Sequence, residues 1–132
     1  NISVTVSKNE QPGDYETLIR LTVQTERQSR SVTGTLFGGG KPRIVNIKDI
    51  EIEAEFAPHM LYITNKDEPG VIGDLGRTMS EAGVNIASFH LGRMTAGGDA
   101  IALIQVDQPV ESTLLDAVSA LPNVVQTKSL AF

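Results

Sequence analysis

No cysteine occurs in the 132 residues of this chain, which excludes disulfides, thiolate metal sites and a cysteine nucleophile. An excess of basic charge is also missing. Lysine and arginine number 11 against 16 aspartates and glutamates, for a net charge of −5, and this balance argues against nucleic acid, whose phosphates call for a basic face. No apolar stretch approaches the roughly 18 residues of a membrane-spanning helix. Histidine is nearly absent. The two present, His59 and His90, are not spaced as metal ligands and read as ordinary surface or packing residues. No Ser-His-Asp set stands out, and the glycines at 34–40 and 92–98 lack the strand-to-helix context of a dinucleotide fingerprint. The opening Asn1-Ile2-Ser3-Val4-Thr5-Val6 has no initiator Met, basic leader or apolar leader segment, so a piece of a longer cytoplasmic chain is expected.

What is present divides in two. Ile2, Val4 and Val6 alternate with polar residues as in a half-buried strand, and Gln11-Pro12-Gly13-Asp14 breaks the pattern. Leu18 to Val23 reads as a strand, Glu26-Arg27-Gln28-Ser29 as a turn, and Ser31 to Phe37 as the returning strand. Ile44, Val45 and Ile47 give a fourth. Ile50-Glu51-Ile52-Glu53-Ala54-Glu55-Phe56 alternates so strictly that one face must be wet and acidic, a solvated edge without basic neighbours. The composition changes at Ala57-Pro58-His59, so domains are expected over 1–57 and 58–132.

The second part contains helix periodicity. Leu61 to Ile63 predicts a strand, then Val71, Ile72, Leu75, Met79 and Ala82 recur at helical spacing until Gly83 closes the helix. Strands follow over Asn85 to Leu91 and Ala100 to Val106, joined by Thr95-Ala96-Gly97-Gly98-Asp99. Leu114, Leu115, Val118 and Leu121 predict a second helix stopped by Pro122, and Val124 to Leu130 a last strand. The fold class is therefore α+β: a ferredoxin-like βαββαβ domain preceded by a mostly β partial domain.

The chemistry concentrates at Asn65-Lys66-Asp67-Glu68-Pro69-Gly70-Val71-Ile72 and at Ala82-Gly83-Val84-Asn85-Ile86. Pro69 suits a first helical turn, where its missing N–H is an orphan anyway, and Gly70 permits close approach to the backbone. Free N–H groups at a helix start attract a carboxylate. Asp67 offers charge for an ammonium, and Asn85 both donates and accepts. Asp67 ahead of Glu-Pro also reads as a simple helix cap.

The run NKDEPGVIGDLGRTMSEAGVNIASFHLG from Asn65 to Gly92 resembles an ACT domain, the amino-acid-sensing module of many biosynthetic enzymes. Upstream, SVTGTLFGGGKPRIV from Ser31 to Val45 resembles the second half of the allosteric substrate-binding domain of long-form D-3-phosphoglycerate dehydrogenases. The resemblance implies a non-catalytic regulatory region that binds L-serine or another small amino acid through Asn65, Asp67 and the backbone of Val71 and Ile72. Asn85 would come from a neighbouring subunit, so a homo-oligomer is expected. No cofactor is implied for this chain, while NAD would serve the parent enzyme. In some relatives the upstream domain binds a phosphorylated acid. The corresponding candidate here is an anion site at Gly39, Gly40, Lys41 and Arg43, whose glycine N–H groups and cations would supply donors and charge; the alternative is a solvated hairpin turn. Rival readings are the matching segment of a bacterial iron-sulfur L-serine dehydratase and an ACT dimerisation module without a ligand.

Overall fold

A computed structural model of the chain describes residues 2–9, 18–37 and 40–132. The turn expected at Gln11 to Asp14, together with Gly38 and Gly39, lies outside the described residues. The chain forms two compact units, Asn1–Phe56 and Ala57–Phe132.

The first unit is an antiparallel meander of β1 (Ile2–Asn9), β2 (Leu18–Thr25), β3 (Ser29–Phe37), β4 (Lys41–Ile47) and β5 (Ile50–Glu55), in that spatial order. Ser29 belongs to β3 rather than to the preceding turn. That turn is closed by the Thr25 hydroxyl, which accepts from the N–H groups of Arg27 and Gln28. Lys48 and Asp49 join β4 to β5 with φ of 53° and 65°, the left-handed pair that a two-residue hairpin needs to match strand twist. On β5, Ile50, Ile52 and Ala54 are buried and Glu51, Glu53 and Glu55 exposed. The acidic face does have a basic neighbour, because Arg43 lies directly across from Glu55 and their side chains pair at 2.7 Å.

The edge strand departs from its pattern. Ile2, Val4 and Val6 are exposed by 72%, 56% and 62%, where alternation predicted a half-buried strand. Alternation fixes that they share a sheet face, but burial requires a second layer over it, and among the described residues none covers this end of the sheet.

The second unit carries β6 (His59–Lys66), α1 (Val71–Glu81), β7 (Ile86–Arg93), β8 (Asp99–Val106), α2 (Ser112–Ser119) and β9 (Val124–Ala131). The sheet order β7-β8-β6-β9, with every neighbouring pair antiparallel, is the ferredoxin-like arrangement predicted from the sequence. β6 runs further than Leu61 to Ile63 because β8 pairs with it from Met60 to Lys66 and β9 from His59 to Asn65. Leu61 and Ile63 meet Val71, Leu75 and Met79 of α1 and Leu114 and Val118 of α2 in one core. This core decides where the polar residues sit. Side chains alternate along a strand, so Asn65 faces the same helix-covered side as Leu61 and Ile63, and it is buried.

Both ends of α1 are set by glycine. Gly70 precedes the helix with φ 94°, so Pro69 lies ahead of the cap position instead of in the first turn. After the helix, Gly83 takes φ 70°. Its N–H bonds to Ser80 O at 3.0 Å while the Val84 N–H bonds to Met79 O at 2.9 Å, a Schellman closure that satisfies two orphan carbonyls.

Candidate functional site

The loop from Lys66 to Gly70 is held against the β7–β8 turn. Asp67 N–H donates to Gly98 O at 2.8 Å. The Asp67 carboxylate accepts from Arg93 Nη1 at 3.0 Å and from the Gly97 N–H at 3.3 Å, both at Oδ2. Lys66 pairs with Asp99 directly opposite it on β8. These bonds give Asp67 a task that the residue types alone did not announce: it clasps the loop leading into α1 to a turn about 30 residues away. Asp67 is not a helix cap, since α1 has no side-chain cap bond at its start.

The first N–H groups of α1 therefore have no side-chain acceptor. The first intrahelical bond runs from Asp74 N–H to Gly70 O, which leaves the N–H groups of Val71 and Ile72 among the orphan donors of a helix start. The helix dipole adds partial positive charge there. Space is open too: apart from Gly70 and its chain neighbours, no atom lies within 4 Å of where a Cβ at Gly70 would stand. Val71 buries its side chain while Ile72 is exposed, so these residues offer backbone on one hand and an apolar surface on the other.

Asn65 completes the polar set. Its Nδ2 donates to Lys66 O at 2.9 Å, but among the described residues its buried Oδ1 has no hydrogen-bond partner. An unsatisfied buried acceptor costs about 1–3 kcal/mol. Such a cost is normally found where a ligand or an ordered water answers it.

Asn85 stands elsewhere. Its Nδ2 donates to Asp107 Oδ2 at 2.7 Å, and its carbonyl accepts from the Asp107 N–H at 3.3 Å. It follows the far end of α1, whose 11 residues span about 16 Å. Within one chain it does not join Asn65 and Asp67. In the first unit, Gly40 adopts φ 74°, Lys41 is exposed, and Arg43 pairs with Glu55.

Arg93 is the residue that sequence reasoning missed. It sits 26 positions from Asp67, at the end of a strand of mixed residues, and only the pairing of Lys66 with Asp99 and of Arg93 with Ala100 brings the two together. No local signal carries that register. Among the described residues, no group of three or more His, Cys, Asp or Glu is placed to hold a metal ion.

Residues 59–123 match the family model of the ACT domain, and residues 1–48 match that of the D-3-phosphoglycerate dehydrogenase intervening domain. The chain is an intervening domain joined to an ACT domain. It thus belongs with the regulatory regions of the D-3-phosphoglycerate dehydrogenases. It is 32% identical to D-3-phosphoglycerate dehydrogenase of Bacillus subtilis over 114 residues, which is 86% of this chain and 22% of that protein. It is 29% identical to the enzyme of the same name from Methanocaldococcus jannaschii over 126 residues, 94% of this chain and 23% of the relative. The chain therefore spans less than a quarter of these relatives. It is also 26% identical over 112 residues to a probable L-serine dehydratase, beta chain, of Bacillus subtilis, covering 85% of this chain and 51% of that protein. ACT domains as a class bind amino acids and oligomerise. No helix among the described residues is long and apolar enough to cross a membrane.

Proposed function

We propose that this chain senses L-serine for a D-3-phosphoglycerate dehydrogenase, with the ACT domain as receptor and the reaction carried out elsewhere in the parent protein. The observation that carries the reading is the buried Asn65 Oδ1, without a partner among the described residues, on the strand that leads into a helix start without a side-chain cap. An amino acid has what these groups lack. Its carboxylate accepts from the N–H groups of Val71 and Ile72, and its ammonium or hydroxyl donates to Asn65. Asp67 supplies the negative charge. NAD would bind to the dehydrogenase portion and not to this chain. Regulation follows if the serine-bound ACT domain favours one arrangement of subunits, since a ligand shifts an equilibrium only by its differential affinity for the two states. In that assembly Asn85 of a neighbouring copy would complete the site.

Calorimetric titration of the chain with L-serine and with glycine tests this. Saturable binding of serine is expected, and heat of dilution alone for both ligands would leave only the reading as a dimerisation module. The likeness to the serine dehydratase beta chain supports a second assignment of the parent, in which the same domain pair serves a lyase. NAD binding by the full-length protein separates the two, for only the dehydrogenase needs it.

A further inference from the structure

We infer that the Arg93–Asp67 ion pair makes the site selective for a zwitterion, by exchanging both partners with the ligand. This rests on the reading of the α1 start as an amino-acid site. Asp67 lies on the loop that leads into α1, its Oδ2 is 3.0 Å from Arg93 Nη1, and the Arg93 and Asp67 side chains are 58% and 20% exposed. The Gly97 N–H also holds Asp67 Oδ2, at 3.3 Å, and the Asp67 N–H is tied to Gly98 O. The two members are therefore unequal. Asp67 stays in place when the pair opens, whereas Arg93, exposed and with no other partner among the described residues, can turn away, and an exposed ion pair costs little to break.

Charge bookkeeping then separates the ligand classes. A simple amine brought to Asp67 meets the Arg93 guanidinium and, on displacing it, leaves that cation without a counter-charge. A simple carboxylate brought to the α1 N–H groups and Arg93 competes with Asp67 for the same guanidinium. A zwitterion satisfies both sides. Its ammonium replaces Arg93 at Asp67 while its carboxylate takes over the guanidinium together with the N–H groups of Val71 and Ile72, so the net charge of the site does not change. Charge-assisted bonds form at both ends. The buried Asn65 Oδ1 then accepts the remaining ligand donor.

The test uses the chain as it is, with L-serine, ethanolamine (serine without the carboxylate) and glycerate (a hydroxyl in place of the ammonium). The wild-type protein should prefer serine to each analogue by about tenfold or more. Arg93→Gln should weaken serine and narrow its advantage over ethanolamine by about tenfold, while Arg93→Lys, which keeps the charge, retains most of the preference. Asp67→Asn should narrow the advantage over glycerate instead. Circular dichroism verifies that each variant is folded, which is expected at the exposed Arg93. Unchanged selectivity in folded Arg93→Gln would overturn the exchange while leaving the serine site standing. Failure of the wild-type protein to bind any of the three would overturn the effector reading and the exchange with it.

Discussion

Asn65 and Asp67 are two positions apart and do opposite kinds of work. Asp67 is well supplied with partners and holds a loop to a turn. Asn65 is buried to 4% exposure and keeps an acceptor unsatisfied, which a purely structural residue has no reason to do. Replacing it should therefore separate stability from function. Asn65→Val is expected to leave the thermal midpoint unchanged or raised, because it removes a buried polar group that costs about 1–3 kcal/mol and suits a strand better. The same change should weaken serine binding by about tenfold or more. A lower midpoint with undiminished serine affinity, from a thermal melt and a titration of the same sample, would show that Asn65 serves the fold alone.

At the scale of elements, α1 is shaped by glycines that differ in what they do. Gly83 closes the helix at φ 70°, a conformation that costs an L-residue about 1–2 kcal/mol. Gly76 lies inside the helix with nothing within 4 Å of an added Cβ and no left-handed φ. Alanine at this position should fit without strain and restrict the unfolded chain. Gly83→Ala is thus expected to destabilise the protein by about 1–2 kcal/mol, and Gly76→Ala to stabilise it by about 0.4–1 kcal/mol. Urea denaturation measures both. Equal effects of the two substitutions would contradict the Schellman closure as the reason for Gly83.

For the whole molecule, the issue is what a single copy leaves incomplete. Asn85 is bonded to Asp107 beyond the far end of α1 and reaches the Asn65 cluster only if supplied by another copy. The ACT sheet has two edge strands, β7 and β9, with Leu91 on one and Val125 on the other exposed by 41% and 67%. Such edges offer unpaired backbone groups to a second sheet. We expect the chain to be a dimer or larger in solution, and light scattering after size exclusion, with and without serine, checks it. A strict monomer at high concentration under both conditions would remove the shared site.

The sequence by itself determined what depends on near neighbours. The spacing of Val71, Leu75 and Met79 encodes one buried helix stripe, Gly83 its end, and Ile50 to Glu55 a strand with one wet face, because side-chain direction follows from the backbone period alone. The order of these elements was enough for the ferredoxin-like topology, since few connections are sterically open to it. Tertiary structure decided the rest. Whether Asp67 caps a helix or pairs with Arg93 depends on the register of β7, β8 and β6, and whether Ile2, Val4 and Val6 are covered depends on a second layer. Gly70, not Pro69, marks the start of α1 because the loop ahead of it is fixed to Gly97 and Gly98 across the fold. Each of these outcomes joins residues far apart in the chain, and their meeting is set by strand pairing and packing, which no local pattern of residue types specifies.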